Sequence, residues 1–347
     1  VSDFLTKAVE SLSGGDVVTD DDALRALSEA LGAPERWCEA LLKIKTKKQE
    51  VEDLRWNTVQ ERLNVVTTDL KAQNRPVRLI VLKARQQGVS TWSEARLFER
   101  TITQENGNAL VIAHKGDSAA ELFAMSRFFF ENLPFQPKCD YSNRREIVLA
   151  PPMNSKMRIE SAENKDAGRG MTNQYVHASE VAFWPSPEQT MLGLMQSVPK
   201  VPETMVILES TANGVGGYFH DMWWSAIDGT NDFTPVFLPW HENPEYSFGL
   251  SEEDTDRITS SLDDSELEGC ELFGWSAGQI AWRRSTIANE CNGNMVQFMQ
   301  EYPATPHEAF QASGRPAFQL ELIDNILNGG CTDPARGNLV NGVIDNG

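Results

Sequence analysis

The chain has 347 residues, 40% of them apolar and 23% charged, which is ordinary for a soluble globular protein built as one large α/β domain with an elaboration, or as two domains. Its 31 Lys and Arg against 50 Asp and Glu leave a formal charge of −19, which excludes a protein that coats nucleic acid over its whole surface but leaves room for one local basic path. The five cysteines lie far apart with no Cys/His ligand spacing, as in a reduced cytosolic protein, and neither a signal peptide nor an apolar run of roughly 18–20 residues is present.

Residues 1–55 read as a polar, acidic, helical segment, with Thr19-Asp20-Asp21-Asp22 as a helix start. Residues 56–250 form a periodic core. The pattern predicts strands over 77–82, 109–113, 146–150, 157–161, 174–178, 204–209 and 236–240, and helices over 91–103, 118–132, 187–196 and 217–227. Apolar runs alternating with amphipathic helices imply a mainly parallel sheet covered on both faces. The Pro151-Pro152-Met153-Asn154 turn adds a hairpin over 146–161. Residues 138–169 hold seven Lys/Arg against five Asp/Glu, whereas 252–271 hold nine acids and one base, which reads as a solvated face. Residues 251–328 read as a small helical subdomain: an acidic, weakly periodic stretch to 272, then helices over 276–291, 295–301 and 319–327 with a break at Pro303 and Pro306. The Gly- and Asn-rich residues 329–347 look like a linker.

The run Lys83-Ala84-Arg85-Gln86-Gln87-Gly88-Val89-Ser90-Thr91 sits between a predicted strand and a predicted helix. That is the setting of a phosphate-binding loop, whose usual pattern is G-x-x-x-x-G-K-[ST]. Here Lys83 stands at the first glycine position and Val89 at the lysine position. Gly88 lets the backbone approach closely, Ser90 is placed to bind Mg²⁺ with Thr91 beside it, and either Lys83 or Arg85 can supply the missing cation.

Four further elements stand around it. Gln174-Tyr175-Val176-His177-Ala178-Ser179-Glu180 is a buried strand with polar residues at its end. Ser179 replaces the aspartate that orders Mg²⁺ through water, and Glu180 remains to activate water. His177 reads as a packed strand histidine. Glu209-Ser210-Thr211-Ala212-Asn213-Gly214, at the end of the next strand, places hydroxyl and amide groups where they can sense a γ-phosphate. Upstream, Gln60 in Trp56-Asn57-Thr58-Val59-Gln60 has an amide able to pair with adenine. Arg169, between Gly168 and Gly170, projects on a loop able to reach a neighbouring subunit as an arginine finger.

Taken in order, these pieces resemble the ATPase part of the large terminase subunit of tailed bacteriophages. The segments that carry the resemblance are KARQQGVST, YVHASEVAFW, ESTANG, WNTVQERL and the later QIAWRR, EYPATPHEAF and SGRPAF, together covering about 40–330. The resemblance implies an α/β P-loop NTPase of the additional-strand catalytic-Glu class, with a mainly parallel central sheet and a small helical subdomain. It implies ATP and Mg²⁺ as cofactors. Gln60 would contact adenine; Lys83, Arg85, Gln86, Gln87, Gly88, Val89, Ser90 and Thr91 would line the phosphates; Ser179 would reach the metal through water. Glu180 would activate water, Ser210, Thr211, Ala212 and Asn213 would couple hydrolysis to motion, and Arg169 would act in trans. It further implies translocation of double-stranded DNA by a ring of five subunits in the host bacterial cytoplasm, docked on the prohead portal protein, with the small terminase subunit as a partner and no membrane. The family's C-terminal nuclease domain finds no counterpart in these residues, so cutting of DNA is not expected of them. The competing readings are a helicase-type motor, for which a second motor domain is missing, and a nucleotide-gated scaffold without catalysis.

Overall fold

In the computed structural model, residues 32–135, 137–312, 338–340 and 343–345 are described. The described residues up to 312 belong to one compact unit and those over 338–340 and 343–345 to a second. Of the second, the strands β11 (Asn338–Val340) and β12 (Val343–Asp345) pair antiparallel. The predicted helix over 319–327 and the Thr19–Asp22 helix start lie outside the described residues.

The first unit is built on an eight-stranded sheet. Its strands are β3 (Val77–Lys83), β4 (Asn108–Ala113), β5 (Cys139–Ser142), β6 (Glu146–Leu149), β7 (Lys156–Ser161), β8 (Tyr175–Ser179), β9 (Met205–Ser210) and β10 (Thr234–Leu238), in the order β10-β3-β9-β8-β4-β7-β6-β5. The pairs from β10 to β7 are parallel; β6 pairs antiparallel with both β7 and β5. The hairpin expected over 146–161 is present, with β5 as an added edge.

Period-two alternation decides what each face carries. Val77, Leu79 and Val81 of β3, Ala109 and Val111 of β4, and Met205 and Ile207 of β9 join one core. That core is covered by α1 (Pro34–Leu41), α2 (Thr58–Ala72), α3 (Val89–Thr103) and α4 (Gly116–Glu131). Ile80, Leu82, Leu110, Ile112, Val206 and Leu208 point the other way, into a core closed by α5 (Pro187–Gln196) and α6 (Tyr218–Ile227). Strands buried on both faces explain their near-continuous apolar sequences.

Two regions differ from the sequence expectation. Within the segment expected to be helical, α1 is followed by an antiparallel hairpin of β1 (Lys43–Lys45) and β2 (Val51–Asp53). The Thr46–Glu50 backbone bond and a positive φ at Gln49 close its turn, and Lys43 pairs with Asp53 across the strands at 2.7 Å. The weakly periodic acidic stretch is two helices, α7 (Glu252–Thr259) and α8 (Asp264–Phe273). Each starts at a side-chain cap, Ser251 onto the Asp254 amide and Asp263 in a capping box with Glu266, and acids in the first turn suit a helix N-terminus. Helix α7 buries none of its residues, which is why no apolar period marks it. Nor is the acidic block wholly solvated: Glu266 is buried and accepts from Arg284 Nε at 2.7 Å.

Helices α9 (Ala277–Asn289), α10 (Met295–Glu301) and α11 (Pro306–Ala312) complete the unit. Here Trp240, Tyr246, Trp282, Phe298 and Tyr302 form an aromatic core of their own. Trp282 stacks between Tyr246, with ring centroids 4.5 Å apart, and Trp240, at 5.4 Å. Among the described residues no helix is long and apolar enough to cross a membrane.

Candidate nucleotide site

Parallel register and alternation together assemble the site. Lys83 ends β3 on the face that carries Val77, Leu79 and Val81. His177 and Ser179 share that face on β8, and so does Glu209 on β9, where Ser179 and Glu209 are register partners. All four therefore point toward α3 at the carboxyl edge of the sheet, where ligands of open α/β sheets bind. One strand, β9, lies between the P-loop strand β3 and the Glu180 strand β8.

The loop after β3 turns through Gln86, with φ 51°, and Gly88, with φ 78°, into the start of α3. Among the described residues, nothing accepts a hydrogen bond from the amides of residues 86–91. A run of free amides at a helix N-terminus is a ready-made anion site. The positive φ at Gly88 is what calls for glycine, and a Cβ added there would also displace the Gln60 amide, whose Nε2 would lie 2.7 Å away. Gln87 is buried, and its side chain donates to the Pro239 carbonyl at 2.9 Å. Val89 is a core residue of the α3 face. Thr91 turns away from the loop and lines a cavity with Ile44, Lys45, Met125, Phe128 and Phe129.

Gln60 is tied to this loop. Its Nε2 donates to the Gly88 carbonyl at 2.8 Å, and its Oε1 accepts from the Asn57 amide at 3.0 Å in the capping box of α2. Asn57 donates to the Gln87 carbonyl. Adenine contact would have to use the second N–H and second lone pair of an amide that is only 4% exposed.

Lys83 is buried between two carboxylates, Glu180 Oε1 at 3.0 Å and Glu209 Oε2 at 3.1 Å. Burial alone would lower its pKa; Glu209 and Glu180 overcome this and hold it above the ordinary lysine value. Arg85 differs. Its side chain is 60% exposed and pairs with Glu301 of α10 at 2.5 Å, while its amide donates to the Glu301 carbonyl and its carbonyl accepts from the Tyr246 hydroxyl.

Glu180 follows β8 with a left-handed backbone, φ 53°, a conformation that costs a non-glycine residue about 1–3 kcal/mol. That turn brings to Lys83 a side chain that strand alternation would send to the opposite face. Its other oxygen accepts from the Ser210 hydroxyl at 3.2 Å and the Thr211 amide at 3.4 Å. Ser210 also accepts from the Ala182 amide, and Asn213 donates to the Ala182 carbonyl, while Ala212 is buried. The expected coupling segment thus clasps both Glu180 and the turn after it.

Glu209 opens the ESTANG segment, but sequence reasoning gave it no role of its own there. It is wholly buried, and its Oε1 accepts from the Ser179 hydroxyl at 2.6 Å and the Ser90 hydroxyl at 3.2 Å, with His177 Nε2 at 3.3 Å. Burial would raise its pKa, but Lys83 and His177 hold it well below the usual carboxylate range. His177 is packed, as expected, yet both its ring nitrogens face carboxylates, the second being Glu94 of α3 at 2.7 Å. Burial pulls its pKa down, and Glu209 and Glu94 raise it to about 9. An acid ending an otherwise apolar strand was the only signal in the sequence.

Arg169 is not brought to this cluster. It pairs with Asp166 at 3.0 Å, lies over Gly193 of α5, and lines a separate cavity of about 560 Å³ with Met171, Gln196 and Pro199.

Free amides, a buried lysine, a serine hydroxyl and two carboxylates fit a magnesium nucleotide, because Mg²⁺ in such sites takes one or two protein oxygens and completes its shell with phosphate and water. The fold and this edge are those of an α/β sheet with a phosphate-binding type of loop after β3 and one strand, β9, between it and the Glu180 strand. The HK97 bacteriophage large terminase has a similar fold, with a TM-score of 0.53 at 13% identity over 77% of this chain and 52% of that one. Looser likenesses are the Thermus phage P74-26 large terminase ATPase domain (TM-score 0.46, 16% identity, 72% of this chain and 93% of that one) and the large terminase of a thermophilic bacteriophage in complex with ADP (0.42, 12%, 60% and 50%). The chain spans about half the length of the HK97 and ADP-bound proteins. No protein-family model and no curated protein matches it. The fold is therefore similar to that found in the HK97 bacteriophage large terminase.

Proposed function

We propose that this chain is the ATPase part of a large terminase, hydrolysing ATP to drive double-stranded DNA into a prohead. The observation that carries the reading is the convergence of the free amides of residues 86–91 with Lys83, Ser90 and Glu180 at one sheet edge, with β9 between the two active strands. The amides and Lys83 hold the phosphates, and Ser90 holds Mg²⁺, which neutralises phosphate charge when bound. Lys83, rather than Arg85, supplies the cation that Val89 cannot, because Lys83 stands with Glu180 and Glu209 at the sheet edge, whereas Arg85 reaches out to Glu301 of α10. Ser179 would reach the metal through water, and Glu180 accepts the proton of the attacking water. Ser210 and Thr211, already on the second oxygen of Glu180, pass its movement to the segment that ends at Asn213.

Gln60 holds the loop and offers its remaining amide valences to adenine. Arg169 acts on the nucleotide of a neighbouring subunit in a ring of five. The ring docks on a portal protein in the host cytoplasm, with the small terminase subunit as a partner. DNA threads the ring along a local basic path; residues 138–169 carry the basic excess in a chain of charge −19.

A second reading, a nucleotide-gated scaffold, is favoured by one observation: Lys83 is already saturated by two carboxylates. ATP turnover measured against protein concentration separates the two. Glu180→Gln is expected to lower turnover by about 10²–10⁴-fold, the usual contribution of a general base. Arg169→Ala is expected to remove the rise of turnover with concentration. ATP binding without turnover at any concentration supports the scaffold.

A further inference from the structure

The end of β8 carries Ser179 where a carboxylate is wanted, and a serine brings no charge to a metal site. The neighbouring strand brings one. Glu209 is the register partner of Ser179, on the same face of the sheet, and the Ser90 and Ser179 hydroxyls both donate to the same oxygen, Oε1. We propose that Glu209 is the positioning residue of the metal site, replacing from β9 the acid that β8 lacks: it takes the single hydroxyl hydrogen of Ser90, so that the serine oxygen presents only lone pairs to the Mg²⁺ of a bound nucleotide.

The proposal rests on the ATP reading above and adds the group that sets the serine. A hydroxyl has one hydrogen and two lone pairs, and a hard cation binds only the lone pairs. With its hydrogen on Glu209, Ser90 is fixed in the orientation a cation requires. The surroundings hold the acceptor in place. Lys83 contacts Oε2 at 3.1 Å, His177 contacts Oε1 at 3.3 Å, and no part of the side chain reaches solvent. His177 is itself held by Glu94 of α3, whose other oxygen accepts from Ser126 of α4 at 2.6 Å. The carboxylate is thus fixed by groups from β3, β8 and α3 and cannot swing away from Ser90. Both departures from the usual motif then have one description: the lysine has moved to the end of β3 and the acid to the end of β9, and the two meet.

The test is the affinity for a non-hydrolysable ATP analogue, measured by calorimetry in Mg²⁺ and in EDTA, with thermal unfolding as a check on folding. The wild-type protein is expected to bind at least about tenfold more tightly in Mg²⁺. Glu209→Gln should bring that ratio close to one while the EDTA affinity changes little. Adding Ser179→Asp to Glu209→Gln keeps the buried charge, returns the acid to β8, and should restore the ratio. A folded Glu209→Gln that keeps the wild-type ratio overturns the proposal. Where Glu209→Gln does not fold, the Ser179→Asp/Glu209→Gln pair decides: a restored ratio supports the proposal, and a folded pair with a ratio near one overturns it. A wild-type protein that binds no nucleotide in either buffer overturns the ATP reading itself.

Discussion

Two regions hold the loop over residues 84–91, and they do so by different physics. Beneath it, Lys83, His177, Glu209 and Glu94 form a buried charged cluster in which each ion is held by its opposites. Beside it, Trp240, Tyr246, Trp282, Phe298 and Tyr302 form an aromatic core that reaches the loop through the Tyr246 hydroxyl and Glu301. A buried charge without its partner is costly, whereas an aromatic core loses stability roughly with the contacts removed. The charged side should therefore respond to single substitutions as a unit, and the aromatic side by increments.

The largest expected effect is on the charged side. Glu209→Leu leaves Lys83 and His177 with one carboxylate fewer and should cost about 3–5 kcal/mol. Lys83→Met added to it should recover a substantial part, because two apolar groups replace a broken pair. Urea unfolding of the single and double variants measures the sign of this coupling, and a further loss in the double variant would break the contrast. Next in size, Trp282→Leu should cost about 2 kcal/mol through lost stacking and packing volume. Adding Trp240→Leu should deepen the loss, opposite in sign to the charged pair.

Tyr246→Phe removes one hydroxyl bond to the Arg85 carbonyl and should cost about 1 kcal/mol. Amide exchange in residues 84–88 should rise more than in β3, which would show that the aromatic side stiffens the loop. The smallest effect is expected of Arg85→Ala, under about 1 kcal/mol, because its ion pair is half in solvent. Its nucleotide affinity should stay within about threefold of wild type, whereas Lys83→Ala should lose measurable binding. The reverse result would make Arg85 the phosphate cation.

Much of the fold was legible because strand and helix periods are local. The strands predicted over 77–82, 157–161 and 204–209 agree with β3, β7 and β9 to within a residue or two, and α5 and α10 agree in full. The hairpin β1–β2 was not legible, since three-residue strands leave no alternation to read. Helix α7 was hidden because it buries nothing. In the site, Gly88, Ser90, Glu180 and Ser210 announced themselves by residue type and spacing. Glu209 did not, because an acid at a strand end looks the same in one dimension whether it faces solvent or three hydrogen-bond donors.

What the sequence determined by itself is the set of elements and the place of the loop: period-two apolar runs, a glycine where φ is positive, and polar residues at the strand ends. What only the tertiary structure decided is which of those polar residues meet. Lys83 finds Glu180 across 97 positions and Ser90 finds Glu209 across 119, through a parallel register that local chemistry cannot specify. The left-handed turn at Glu180 then brings its carboxylate to the lysine. Register and that turn, both consequences of packing the whole sheet, convert a broken motif into a closed set of charges.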